Sequence, residues 1–67
     1  METSKDHAVA MLRNLGHQAA LENGVVVVYI GNEEIIKPGA KKRYQKIMEQ
    51  IGYHASWGLK PIGTMPE

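Results

Sequence analysis

The chain contains no cysteine, which excludes a disulfide framework and any cysteine-ligated zinc or iron–sulfur site. Long apolar runs are also missing. The longest, Val25 to Ile30, falls far short of the roughly 20 residues that span a membrane. The opening Met1-Glu-Thr-Ser-Lys-Asp6 lacks the basic-then-apolar start of a secretory signal. There is almost no excess of one charge sign, the net being +1, so overall charge names no partner. Thr3, Ser4, Ser56 and Thr64 sit in no G-x-S-x-G or similar nucleophile setting. His7, His17 and His54 form no H-x-x-x-H pair and have no carboxylate at metal-ligand spacing. Glu33 and Glu34 are adjacent, so on a strand they would point to opposite faces and could not act as a pair. No glycine-rich loop carries a phosphate-binding pattern. Together these gaps predict a cytoplasmic, non-enzymatic protein without metal or cofactor.

What is present fits one small domain. At 67 residues, a fold buries only about 60% of the surface its unfolded chain exposes. The chain is 43% hydrophobic and 22% charged, both ordinary for a globular protein. An internal repeat organises it. Leu12-Arg-Asn-Leu-Gly-His-Gln-Ala-Ala-Leu21 aligns with Met48-Glu-Gln-Ile-Gly-Tyr-His-Ala-Ser-Trp57 at an offset of 36. Ala8, Met11, Leu12 and Leu15 form an i, i+3, i+4, i+7 stripe, and Tyr44, Ile47, Met48 and Ile51 repeat it. Each stripe ends at a glycine, the residue that best takes the left-handed conformation after a helix. The unit is helix, glycine stop, strand, used twice.

The first helix is predicted over about Lys5 to Leu15, capped by Thr3 or Ser4, and the first strand over His17 to Glu22. Asn23-Gly24 signals a two-residue hairpin turn. It leads into Val25 to Ile30, a β-branched and aromatic run expected as the central strand. That turn fixes register: Glu22 opposite Val25, Leu21 opposite Val26, Ala19 opposite Val28. His17, Ala19, Leu21, Val26, Val28 and Ile30 then face the helices. Gly31 to Lys37 is read as a loop or short edge segment. The second helix covers Gly39 to Ile51, with Pro38 at its start, and the last strand Tyr53 to Leu59. The expected fold is α+β, a two-layer sandwich of order α-β-β-α-β. Its three-stranded sheet carries both helices on one face, like a ferredoxin-like fold lacking its first strand. The domain is expected over residues 1–60, with 61–67 as a flexible tail.

Two surfaces stand out. Lys37, Lys41, Lys42, Arg43 and Lys46 lie within ten positions uninterrupted by an acid. They crowd a helix N-terminus, where cations oppose the dipole by about 0.3–1 kcal/mol each. Such a cluster suits an anion or a nucleic-acid backbone. The other surface is the sheet face away from the helices. There Ala20, Val25, Val27 and Tyr29 would form an apolar patch beside His54, suited to a protein partner or a homodimer. Protein contact is the leading functional expectation and nucleic-acid binding the alternative. Trp57 is read as the largest core residue, with a stacking platform for a base as the alternative.

Gly39-Ala-Lys-Lys-Arg-Tyr-Gln-Lys46 resembles the start of the last helix in double-stranded-RNA-binding domains, a fold shared by HicA-type RNA-cleaving toxins. That resemblance implies the alternative order α-β-β-β-α, with Glu33 to Lys37 as a strand. Where those toxins carry a catalytic histidine, at the start of the second strand, this chain has Asn23-Gly24-Val25-Val26, which argues against cleavage. Ile51-Gly-Tyr-His-Ala-Ser-Trp-Gly-Leu-Lys60 resembles the C-terminal end of small uncharacterised α-β-β-α-β proteins of Gram-positive mobile elements. That likeness implies a fold and a setting, and no activity.

Overall fold

A computed structural model describes residues 3–65. Two helices of ten and eleven residues, α1 (Lys5–Asn14) and α3 (Ala40–Gln50), lie on one face of a three-stranded sheet. The strands are β1 (Gln18–Glu22), β2 (Val25–Ile30) and β3 (Trp57–Pro61), with β2 central. A single-turn helix, α2 (Asn32–Ile35), follows β2, and a 3-10 turn (Ile62–Thr64) follows β3. The shortest extent is 20 Å, the thickness of two packed layers about 10 Å apart with their side chains.

The predicted α-β-β-α-β order therefore holds, and the α-β-β-β-α alternative does not. Residues 32–35 turn as a helix instead of pairing as a strand, and a strand follows the last long helix. Asn32-Glu-Glu-Ile wins as a helical turn because Glu33 and Glu34 fall in its first turn, where negative charge is favoured.

Hairpin register is as the turn dictated: Glu22 pairs with Val25, Leu21 with Val26 and Ala19 with Val28. Asn23 and Gly24 both have positive φ, 52° and 76°, as a type I′ turn requires. β3 runs parallel to β2, with Val26 opposite Trp57 and Val28 opposite Leu59. Ala8, Leu12, Val26, Val28 and Met48 are fully buried between sheet and helices.

The repeat is visible in the backbone. At the end of α1, Gly16 N–H donates to the Arg13 carbonyl and His17 N–H to the Leu12 carbonyl, at 3.0 Å each. At the end of α3, Gly52 N–H donates to Glu49 and Tyr53 N–H to Met48, at 3.1 and 2.9 Å. Both are Schellman closures, at positions the offset of 36 makes equivalent. β1 is antiparallel and β3 parallel to β2, so the two helix–strand units flank β2 in opposite directions. Ser4 caps α1, accepting from His7 N–H at 3.2 Å. Thr3 ties this end to the other unit, its N–H donating to the Gly52 carbonyl at 3.1 Å and its hydroxyl to that of Ile51.

β3 begins later than expected. The Tyr53 hydroxyl donates to the Ser56 carbonyl at 2.8 Å, folding residues 53–56 into a turn, so pairing starts only at Trp57. The strand also takes in Pro61 of the expected tail. Gly63 N–H lies 3.4 Å from Asn32 Oδ1. Residues 66–67 of that tail lie outside the described residues.

Candidate functional site

The second sheet face is covered from within. Lys60 Nζ donates to Glu22 Oε1 at 2.8 Å. Glu22 belongs to the row of Val25, and Lys60 to the row of Tyr29. The row between them is Ala20–Val27–Gly58, so the pair crosses the face diagonally over Val27. Met65, Gln18 and Arg13 border a depression of about 200 Å³ beside Ala20 and Tyr29. Val27 and Tyr29 are each only 4% exposed, while Ala20 and Val25 are half-buried. The expected exposed patch is thus absent, because two long charged side chains reach each other over small neighbours. His54 is not on this face either. The Tyr53–Ser56 bond places it in the turn ahead of β3.

The free edge of β1 is also guarded. Glu22 and Val25 flank a two-residue turn, so the outward-pointing backbone groups belong to Leu21 and Ala19. Arg13 Nε donates to the Ala19 carbonyl at 2.9 Å, occupying an acceptor that an incoming strand would need.

The basic cluster stays open to solvent. Lys37, Lys41, Lys42, Arg43 and Lys46 are all exposed. Arg43 pairs with Glu34 at 3.6 Å. Lys37, Lys41, Lys42 and Lys46 have no acidic partner among the described residues. Gly39 stands at the N-cap of α3 and no side chain caps the helix. Tyr44, behind this surface, meets His17 edge-on, with centroids 5.5 Å apart. Burial raises the Tyr44 hydroxyl above its ordinary pKa, and the Glu34 carboxylate adds to the rise.

Beside the cluster lies a polar cleft of about 410 Å³. Lys41 and Gln45, one helical turn apart on α3, form one wall. The 53–56 turn and Trp57 form the other. Trp57 is half-buried and packs against the core from its margin, so it is not the largest core residue; among the fully buried side chains that place belongs to Tyr53. Lys41 Nζ sits 5.3 Å from the indole centroid. An exposed cation–π contact contributes only about 0.5–1 kcal/mol, so Lys41 is held weakly and can leave for a better partner. The sequence places four of the five cations on the second helix, with Lys37 just ahead of it, and its first reading puts the indole in the core. That reading missed the cleft, because the turn meets α3 only through the crossover.

A third feature is an apolar groove of about 380 Å³ between the helices, lined by Met11, Asn14, Leu15, Gln50 and Ile51. Leu15 there is 59% exposed. Among the described residues no group of His, Asp and Glu could hold a metal ion, and no helix is long and apolar enough to cross a membrane.

Fold and site together define a small two-layer α+β domain with a cationic helix face opening onto a polar cleft. No protein-family model, curated protein or solved structure matches the chain.

Proposed function

We propose that this chain is a nucleic-acid-binding accessory domain whose α3 cations meet the phosphate backbone. The supporting observation is a set of exposed lysines, Lys37, Lys41, Lys42 and Lys46, free of acidic partners among the described residues and bordering the Trp57 cleft. Cations gathered near the N-terminus of α3 work against its dipole. An incoming phosphate offsets that repulsion and releases counterions. The lost apolar patch weakens the case for contact through the second sheet face, whereas the lysines stay exposed among the described residues.

The test is salt dependence. With three or four phosphates engaged, log Kd against log salt should have a slope of about 2–3 on a single strand. Lys42→Ala should weaken binding alike for all sequences and lower that slope by roughly 0.7. Absence of any mobility shift with DNA or RNA at low salt would remove this reading.

Protein contact, including self-association, keeps one supporting observation: the groove with exposed Leu15. Light scattering that gives a monomer at every concentration would remove self-association.

A further inference from the structure

We propose that the cleft between α3 and the 53–56 turn is a base pocket for single-stranded nucleic acid. The Trp57 indole is the stacking platform, and Lys41 leaves it to meet the adjoining phosphate. This rests on the nucleic-acid reading above and adds a strand preference to it. The cleft's volume, about 410 Å³, lies in the range of small-molecule sites. Gln45, His54 and Ser56 are among the residues that line it, and an amide, an imidazole and a hydroxyl together supply donors and acceptors for a base edge. The pocket is formed in advance. Trp57 is anchored on the core, and the Tyr53 hydroxyl bond to the Ser56 carbonyl holds the turn. Lys42 and Lys46, spaced one helical turn apart and exposed, can follow the backbone outside it. A base inside a duplex is stacked and paired and cannot enter; an unpaired one can.

Trp57 is the chain's only tryptophan, so its emission reports on this cleft alone. The wild-type protein is titrated at about 50 mM salt with an oligothymidylate of about ten nucleotides and with a duplex of equal length. Tryptophan emission and the anisotropy of a separately labelled oligonucleotide are both followed. The expected result is strong quenching and tighter binding with the single strand, and little quenching with the duplex. Trp57→Leu should weaken single-strand binding about ten-fold, with Trp57→Phe retaining most of the affinity. Anisotropy rising without quenching, or equal affinity for the two forms, overturns the pocket and leaves the phosphate contact standing. No anisotropy change with either form overturns both. The quenching measurement needs no variant, so it decides the matter even if Trp57→Leu fails to fold.

Discussion

Val27 and Val28 are neighbours in β2 with opposite surroundings. Val28 is fully buried against the helices, in the cluster with Leu12 and Met48. Val27 is nearly as hidden, but its neighbours across the sheet are Ala20 and Gly58, and its cover is the Glu22–Lys60 pair. That pair is partly exposed, its side chains retaining 25% and 49% of their accessibility, and contributes at most about 1 kcal/mol. A partly exposed pair of long side chains over small residues can settle into the space left by a lost side chain, whereas a packed core cannot. Val28→Ala should therefore cost about 2–3 kcal/mol and Val27→Ala about 1 kcal/mol, read from urea midpoints at constant slope. Equal losses would mean that the second face is packed as firmly as the first. The parity of these valines was legible in the sequence, since a two-residue turn leaves one register. Their cover was not. It depends on which β3 residue stands beside Tyr29, and a crossover of 26 intervening residues, 31–56, does not fix that.

At the scale of elements, the two helix stops compare the same motif in two settings. Gly16 and Gly52 both lie in the left-handed region, at φ 93° and 76°, where a side chain costs roughly 1–2 kcal/mol. Space separates them. A Cβ on Gly16 meets nothing within 4 Å, while one on Gly52 lies 3.2 Å from Thr3 Oγ1. Thr3 is the residue whose N–H and hydroxyl bond the carbonyls closing α3. Gly52→Ala should thus cost more than Gly16→Ala and loosen the N-terminal tie, seen as faster amide exchange at Thr3 in the Gly52 variant alone. Identical losses and exchange would mean that the tie does not depend on this closure. Both stops were legible because helix stripe and glycine repeat together. Residues 31–37 were not, since seven residues with one apolar pair, Ile35-Ile36, fit a strand, a loop or a single turn, and the favourable placing of Glu33 and Glu34 at a helix start is a local margin of tenths of a kcal/mol. The start of β3 was hidden for a different reason: the residues ahead of it carry a side-chain hydrogen bond, Tyr53 to Ser56, that periodicity cannot show.

For the whole molecule, β2 is common property. Its inward residues Val26, Val28 and Ile30 share one buried cluster with α1 and α3, so neither helix–strand unit has a core of its own. Unfolding should be a single transition, and titration of any buried group should act on all of it. Tyr53 is 2% exposed, and burial raises its hydroxyl above the ordinary value; Tyr44 is raised as well, by burial and then by Glu34. The unfolded chain ionises these groups near pH 10, while the folded chain keeps them neutral to higher pH. Their contribution is therefore fully present below about pH 10 and is lost as pH climbs through the folded-state values. Tyr53→Phe removes one titrating group along with the hydrogen bond to Ser56, which contributes about 1 kcal/mol. The variant should melt at lower temperature than the wild type at pH 8, and the gap should narrow as pH rises beyond about 10. Melting curves that stay parallel across that range would show that the Tyr53 hydroxyl titrates alike in both states, and that the turn shaping the Trp57 cleft is open to water.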